Sequence, residues 1–85
     1  MNRIIVTVAD ELGRYSYDLE LPDEIPAKKL KKDIAEVLRA LDNSVLLVPE
    51  EIYVVCVRTG TLLQDNETLL QDGVWNGDIL MIMER

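Results

Sequence analysis

The N-terminal part of the chain alternates apolar and polar residues with the period of a β-strand. Ile4, Val6 and Val8 share one side of a first predicted strand, because successive side chains of a strand point to opposite faces. Residues 15–21 repeat the alternation, and a loop over residues 10–14 joins the two segments. The pattern predicts an antiparallel hairpin with one buried face. Its predicted inner face carries Ile4, Val6, Tyr17 and Leu19.

After Pro22 the apolar residues recur with the period of a helix. Pro26 suits a first helical turn, where its missing N–H would be unpaired in any case. No Ser, Thr or Asn directly precedes it, so the sequence offers no strong side-chain cap. The helix is predicted to end at residues 42–44. The apolar stripe expected to face the rest of the protein contains Leu30, Ile34, Val37, Leu38 and Leu41.

The C-terminal half returns to strand patterns. Residues 52–57 are β-branched or aromatic apart from Cys56, which predicts a third strand. A very short strand within 62–70 and a last strand over 79–83 complete the order. A lone helix must bury its stripe against one face of the sheet. We therefore expect one α+β domain over residues 1–85, with a mixed sheet of four to five strands packed on one main helix.

Composition excludes several functional classes. The net charge of −7 argues against nucleic acid, whose affinity for proteins comes mainly from Lys and Arg, and against docking on anionic lipid. No apolar run is long enough for a signal peptide or for membrane insertion, so a cytoplasmic protein is expected. The chain has no histidine and one cysteine, which predicts that it is not an enzyme and holds no metal or cofactor.

The last third of the chain carries a family pattern. Residues 60–69 read Gly-Thr-Leu-Leu-Gln-Asp-Asn-Glu-Thr-Leu, and residues 76–80 read Asn-Gly-Asp-Ile-Leu. Both resemble ubiquitin, including a glycine, Gly77, where ubiquitin-like folds need positive φ. The resemblance implies a β-grasp fold whose first and last strands are parallel neighbours.

Within that superfamily the chain is similar to the small YukD/EsaB proteins of the type VII (WXG100) secretion system. The similarity lies in its length, in Ile-Pro-Ala-Lys-Lys-Leu at residues 25–30, in Ala-Leu-Asp at residues 40–42 and in Asn-Gly-Asp-Ile-Leu at residues 76–80. It implies an adaptor or regulatory component that binds cytosolic secretion-system proteins. The chain ends Met-Glu-Arg without a Gly-Gly tail, which argues against conjugation. The alternative is a ubiquitin-like modifier or sulfur-carrier relative whose C-terminal Gly-Gly is missing from this chain.

The third and last predicted strands are apolar on both sides. The resemblance places Val54, Cys56, Leu80 and Ile82 against the helix, which turns the other side outward. An exposed apolar patch in a one-helix domain predicts a protein partner or a homodimer, whereas scattered surface hydrophobes would have no function. The candidate partner-binding residues are Tyr53, Val55, Val57, Ile79, Met81, Met83 and Ile5.

Four lysines cluster at the start of the helix. Lys28, Lys29, Lys31 and Lys32 oppose the helix dipole at that end, so they do not serve helix stability. They are candidates for docking an acidic partner, and the alternative is a solvated helix face.

A tryptophan and four acidic residues in the C-terminal third match no catalytic or metal-binding motif. Trp75 either covers an edge of the core or serves as an anchor for a partner. The acidic residues Asp65, Glu67, Asp72 and Asp78 match no calcium-loop spacing, so we interpret them as solubilising loop residues.

Overall fold

The computed structural model describes residues 2–85 and contains one α-helix, five strands and one 3₁₀ turn in that range. The elements follow the predicted order, with the 3₁₀ turn leading into the third strand. They are β1 (Arg3–Asp10), β2 (Ser16–Pro22), α1 (Ala27–Leu41), the 3₁₀ turn (Pro49–Glu51), β3 (Ile52–Cys56), β4 (Thr61–Leu62) and β5 (Ile79–Glu84).

The strands form one mixed sheet in the order β2-β1-β5-β3-β4. β1 and β5 are parallel neighbours at its centre, with Val8 opposite Leu80, as the resemblance implied. All the other pairs are antiparallel. β2 and the two-residue β4 form the edges. The mixed five-stranded sheet packed on one helix is the β-grasp arrangement, which confirms the predicted fold class.

The core lies between the helix and one face of this sheet, called here the inner face. The predicted hairpin face is confirmed, because Val6 lies opposite Leu19 and both are buried, while Ile4 and Tyr17 are partly buried against the core. The four residues predicted to face the helix from β3 and β5 are buried as well: Val54, Cys56, Leu80 and Ile82.

The buried stripe of the helix differs from the predicted one. Val37 and Leu41 are 40% and 54% exposed, whereas Ala27 and Lys31 are buried. The stripe is therefore rotated about the helix axis toward Ala27 and Lys31, which moves Val37 to its flank. Leu41 is the last helical residue and lies beyond Leu38, the last buried one. Periodicity predicted the stripe but not the direction in which the sheet meets it.

The helix start is capped by a distant loop rather than by a local side chain. Pro26 occupies the cap position and makes no side-chain capping bond, as the sequence suggested. The amide of Ala27 donates to the carbonyl of Glu67 at 2.7 Å, and that of Lys28 donates to the carbonyl of Asp65 at 3.0 Å. These carbonyls satisfy amides that would otherwise lack an intrahelical partner, and they fix the loop against the helix.

Candidate functional site

The face of the sheet turned away from the helix, called here the outer face, carries all seven candidate partner-binding residues. Ile5, Val57 and Ile79 are 51%, 47% and 43% exposed. The other four, Tyr53, Val55, Met81 and Met83, are partly exposed. Six of them alternate along β1, β3 and β5 with the buried residues of the inner face, so the strand period places them together. Val57 directly follows β3.

Pairing between the strands makes this surface continuous. Met81 lies opposite Ala9 on β1 and Val55 on β3, and Val55 in turn lies opposite Leu62 on β4. A second row runs from Thr7 to Ile79 and then to Val57, whose amide donates to the carbonyl of Ile79 at 3.0 Å. The two rows place apolar side chains of β1, β5, β3 and β4 next to one another.

Leu62 belongs to this surface and was not among the predicted residues. Its side chain is 39% exposed, and its pairing with Val55 places it on the outer face. A strand of two residues shows no alternation, so the sequence contained no periodic signal for it.

The β2 side of the outer face is polar. The hydroxyl of Thr7 donates to Asp18 at 2.7 Å, and Arg3 forms an exposed ion pair with Glu20 at 3.1 Å. An apolar centre with a charged margin is typical of surfaces that bind proteins.

Trp75 does not cover an edge of the core. Its side chain is 64% exposed, and the guanidinium carbon of Arg58 lies 3.8 Å from the centroid of its ring. Arg58 in turn donates to the carbonyl of Gly73 at 2.6 Å. The prediction that Trp75 covers the core is therefore wrong. Its exposed ring makes a cation–π contact with Arg58.

Asp78 is a structural residue rather than a solubilising one. It is only 8% exposed, and it accepts hydrogen bonds from Arg58 Nε at 2.8 Å and from the amide of Trp75 at 2.7 Å. The Arg58 guanidinium beside this carboxyl lowers its pKa to about 2. The buried thiol of Cys56 lies 3.7 Å from the same carboxylate, which agrees with the predicted core cysteine.

The other three acidic residues occupy different environments. Asp65 is exposed, and its pKa is lowered chiefly by the hydrogen bond from Lys31. Burial raises the pKa of Asp72, and its Oδ2 has no hydrogen-bond partner among residues 2–85. Glu67 accepts a hydrogen bond from the amide of Gln64 at 3.0 Å. The solubilising interpretation is thus wrong for Asp78, which is buried, whereas Asp72 is partly exposed.

The lysine cluster is divided by the fold. Lys31 is buried, and its ammonium lies 3.0 Å from Asp65 Oδ1. Lys29 is exposed and pairs with Asp33 at 3.4 Å. Lys28 and Lys32 are exposed and line a groove of about 540 Å³ beside β3 and β4. The structure therefore brings together Lys28, Lys31 and Lys32 but leaves Lys29 outside the groove.

Comparison with known families decides the affiliation of the chain. Residues 3–82 match the model of a family described as "WXG100 protein secretion system (Wss), protein YukD". The chain belongs to the YukD family. Its members are ubiquitin-like components of the WXG100 secretion system, in agreement with the resemblance found in the sequence. A comparison with curated proteins finds no match.

Solved structures show the same fold at low sequence identity. A ubiquitin from Caldiarchaeum subterraneum superposes with a TM-score of 0.76 at 19% identity, covering 99% of this chain and 95% of its own. The ubiquitin-like domain of Plasmodium falciparum Dsk2 gives 0.77 at 21%, covering 99% of this chain and 100% of its own. The ubiquitin-like domain of the Arabidopsis thaliana protein At2g32350 superposes with a TM-score of 0.75 at 16% identity. The match covers 99% of this chain and 79% of that domain's chain. At these identities the similarity shows the fold alone.

No helix within residues 2–85 combines the length and the apolar character needed to cross a membrane.

Proposed function

We propose that this YukD-family chain is an adaptor or regulatory component of a type VII secretion system that binds a protein partner through its outer face. Membership of the family supports the assignment to the secretion system. The continuous apolar surface of β1, β5, β3 and β4 supports binding as its mode of action.

The outer face carries this proposal because the fold does not require its composition. Val55, Met81 and their neighbours lie opposite the side of the sheet that the helix covers. Polar residues at these positions would leave the core unchanged, yet the exposed side is apolar. Burial of such a surface against a partner is favourable, and flexible methionines adapt to the shape of the partner.

The proposed partner is a cytosolic protein of the same secretion apparatus, and the proposed location of the chain is therefore the cytoplasm. A second copy of the chain is the alternative occupant of the face. Sedimentation of the purified protein over a range of concentrations distinguishes the two, because a homodimer gives a concentration-dependent mass.

The test is crosslinked affinity capture of the tagged protein from its native host, with the double variant Val55→Lys/Met81→Lys alongside. Both lysines fall in the row of the outer face that runs from Ala9 to Leu62, so burying their charges against a partner is unfavourable. The matched control is Leu12→Lys/Leu46→Lys, which adds the same charge at apolar side chains 72% and 67% exposed outside this face.

Secretion-system proteins are expected with the wild type and the control but not with the outer-face variant. Equal capture by all three proteins would exclude the outer face as the binding site. Capture of unrelated proteins alone would remove the secretion assignment and leave the fold untouched.

A ubiquitin-like modifier or sulfur carrier is the alternative function, which the fold shared with a ubiquitin supports. Both need a C-terminal Gly-Gly carboxylate that an activating enzyme can adenylate. The intact mass of the protein isolated from its host decides, since a chain that carries Gly-Gly after residue 85 is heavier than the 9.7 kDa of this sequence.

A further inference from the structure

A groove at the corner of the fold has a charge opposite to that of the protein. Its walls come from the first two turns of α1, from the 3₁₀ turn and β3, and from β4 with the loop that follows it. Four cationic and two acidic side chains line it, whereas the whole chain carries a net charge of −7. These charged residues are Lys28, Lys31, Lys32, Arg85, Glu50 and Asp65.

The cations of the groove are not equivalent. Lys31 is buried and engaged by Asp65, so it holds the loop after β4 in place. Within residues 2–85, neither Lys28 nor Lys32 takes part in an ion pair. Both are exposed and face the groove. Two flexible ammonium groups are therefore available to an incoming anion.

Beside these cations the groove has an apolar wall. Tyr53 and Leu62 line it, and Arg85 lies over the Tyr53 ring with its guanidinium carbon 4.9 Å from the centroid. Both wall residues also belong to the outer face. The groove thus extends the apolar surface around the edge of the sheet to the start of the helix.

We propose that this groove binds a short acidic segment of the partner protein. An apolar side chain of the segment packs against Tyr53 and Leu62, and its carboxylates lie beside Lys28 and Lys32. The inference rests on the proposed function, since it gives the chemistry of one segment of the same partner. Charge complementarity with the groove is what selects an acidic segment.

The distribution of charge favours a peptide over larger anions. The molecule measures about 31 by 22 by 21 Å, and screening at physiological salt acts over about 8 Å. A nucleic acid or an anionic bilayer would extend beyond the groove and meet the acidic remainder of the surface, which repels it. A segment of a few residues contacts the groove alone.

The test uses two synthetic peptides with blocked ends, Glu-Asp-Leu-Glu-Asp and its amide counterpart Gln-Asn-Leu-Gln-Asn. Each is titrated into the full chain labelled with ¹⁵N, and amide shifts are followed by NMR. The variant Lys28→Gln/Lys32→Gln removes the two available cations. The control Lys29→Gln/Arg39→Gln removes two charges from exposed positions of the same helix that do not line the groove.

The acidic peptide is expected to shift amides around Lys28, Tyr53, Leu62 and Asn66. Its dissociation constant should rise about fivefold in the groove variant, since exposed ion pairs are individually weak, and stay unchanged in the control. Equal shifts from the amide peptide, or an unchanged constant in the groove variant, would overturn the proposal.

Two further probes exclude other anions. If inorganic phosphate shifts the amides of the groove while the acidic peptide shifts none, the groove is a simple anion site. Sedimentation with vesicles containing phosphatidylserine, in the absence of peptide binding, would show a lipid site. Either result overturns the peptide assignment. If Val55→Lys/Met81→Lys abolishes capture of the partner while the wild-type chain shows no amide shifts with the acidic peptide, the proposed function stands and this inference fails.

Discussion

The two faces of β3 and β5 have similar apolar residues but different surroundings. On the inner face Val54 and Ile82 are at most 1% exposed beneath the helix. On the outer face Val55 and Met81 are partly exposed, and no element among residues 2–85 covers them. Packing in the core accounts for the inner set. The outer set is expected to contribute less to folding, and under the proposed function it contacts a partner.

The charged residues next to the two faces also differ in burial. The inner side of β1 ends in Asp10 and the inner side of β5 is preceded by Asp78, and both carboxylates are buried. Each is held by an arginine, Arg14 at 2.7 Å and Arg58 at 2.8 Å. The Arg14 side chain lowers the pKa of Asp10 to about 2, as Arg58 does for Asp78. The charges bordering the outer face at Arg3 and Glu20 are exposed to solvent.

The largest expected effect is a difference in stability between alanine variants at two neighbouring residues of β5. Leu80→Ala should lower the free energy of unfolding by about 3 kcal/mol, because it leaves a cavity at a fully buried site. Met81→Ala should lower it by less than about 1 kcal/mol, because that side chain is partly exposed. Urea denaturation followed by circular dichroism measures both. Similar losses in the two variants would mean that the outer face contributes to folding as much as the core does.

Acid should lower the free energy of unfolding through Asp10 and Asp78, the two buried aspartates next to the inner face. The pKa values of Asp10 and Asp78 are lowered from 3.8 to about 2, so their stabilisation is complete above the unfolded pKa and is lost as the pH falls from about 5 toward 2. Asp78→Asn should cost about 2 kcal/mol at pH 7 and should flatten this pH dependence. Urea midpoints at several pH values give both quantities, and Asp18→Asn on the exposed margin is the control. If stability depends on pH as steeply in Asp78→Asn as in the wild type, the Asp78 carboxylate is not the stabilising group.

The smallest effect comes from one isosteric change at adjacent positions. Val54→Thr places a hydroxyl in the core and should cost about 1.5 kcal/mol. Val55→Thr places the same group on the outer face and should change stability by less than about 0.5 kcal/mol. Because both residues are valines in one strand, β propensity cancels in the difference between the two variants. A larger loss at Val55 would show that the outer face is packed in the isolated protein.

The fold could be predicted from the sequence because its determinants are local patterns. The alternation around Val6 and Leu19, the stripe through Leu30 and Ile34 and the residue type at Gly77 each specify a local conformation. The strand order came from the resemblance to ubiquitin, since periodicity does not determine which strands are neighbours.

The site was less predictable because it depends on contacts between distant parts of the chain. Lys31 is neutralised by Asp65, 34 residues away, and Arg58 is held by Asp78 at a separation of 20. No local pattern reports such pairs. The sequence therefore presented four equivalent lysines and four equivalent acids, of which the fold pairs Lys31 with Asp65 and Asp78 with Arg58 while leaving other charges available.

The edges of the sheet have a consequence for behaviour at high concentration. An exposed edge strand can pair with another chain and start aggregation, and short or charged edges prevent this. Here one edge is β4, with two residues, and the other is β2, which carries Asp18 and Glu20 and ends at Pro22. Growth by addition of strands is therefore disfavoured, so the apolar outer face can stay exposed without the chains polymerising through their backbones.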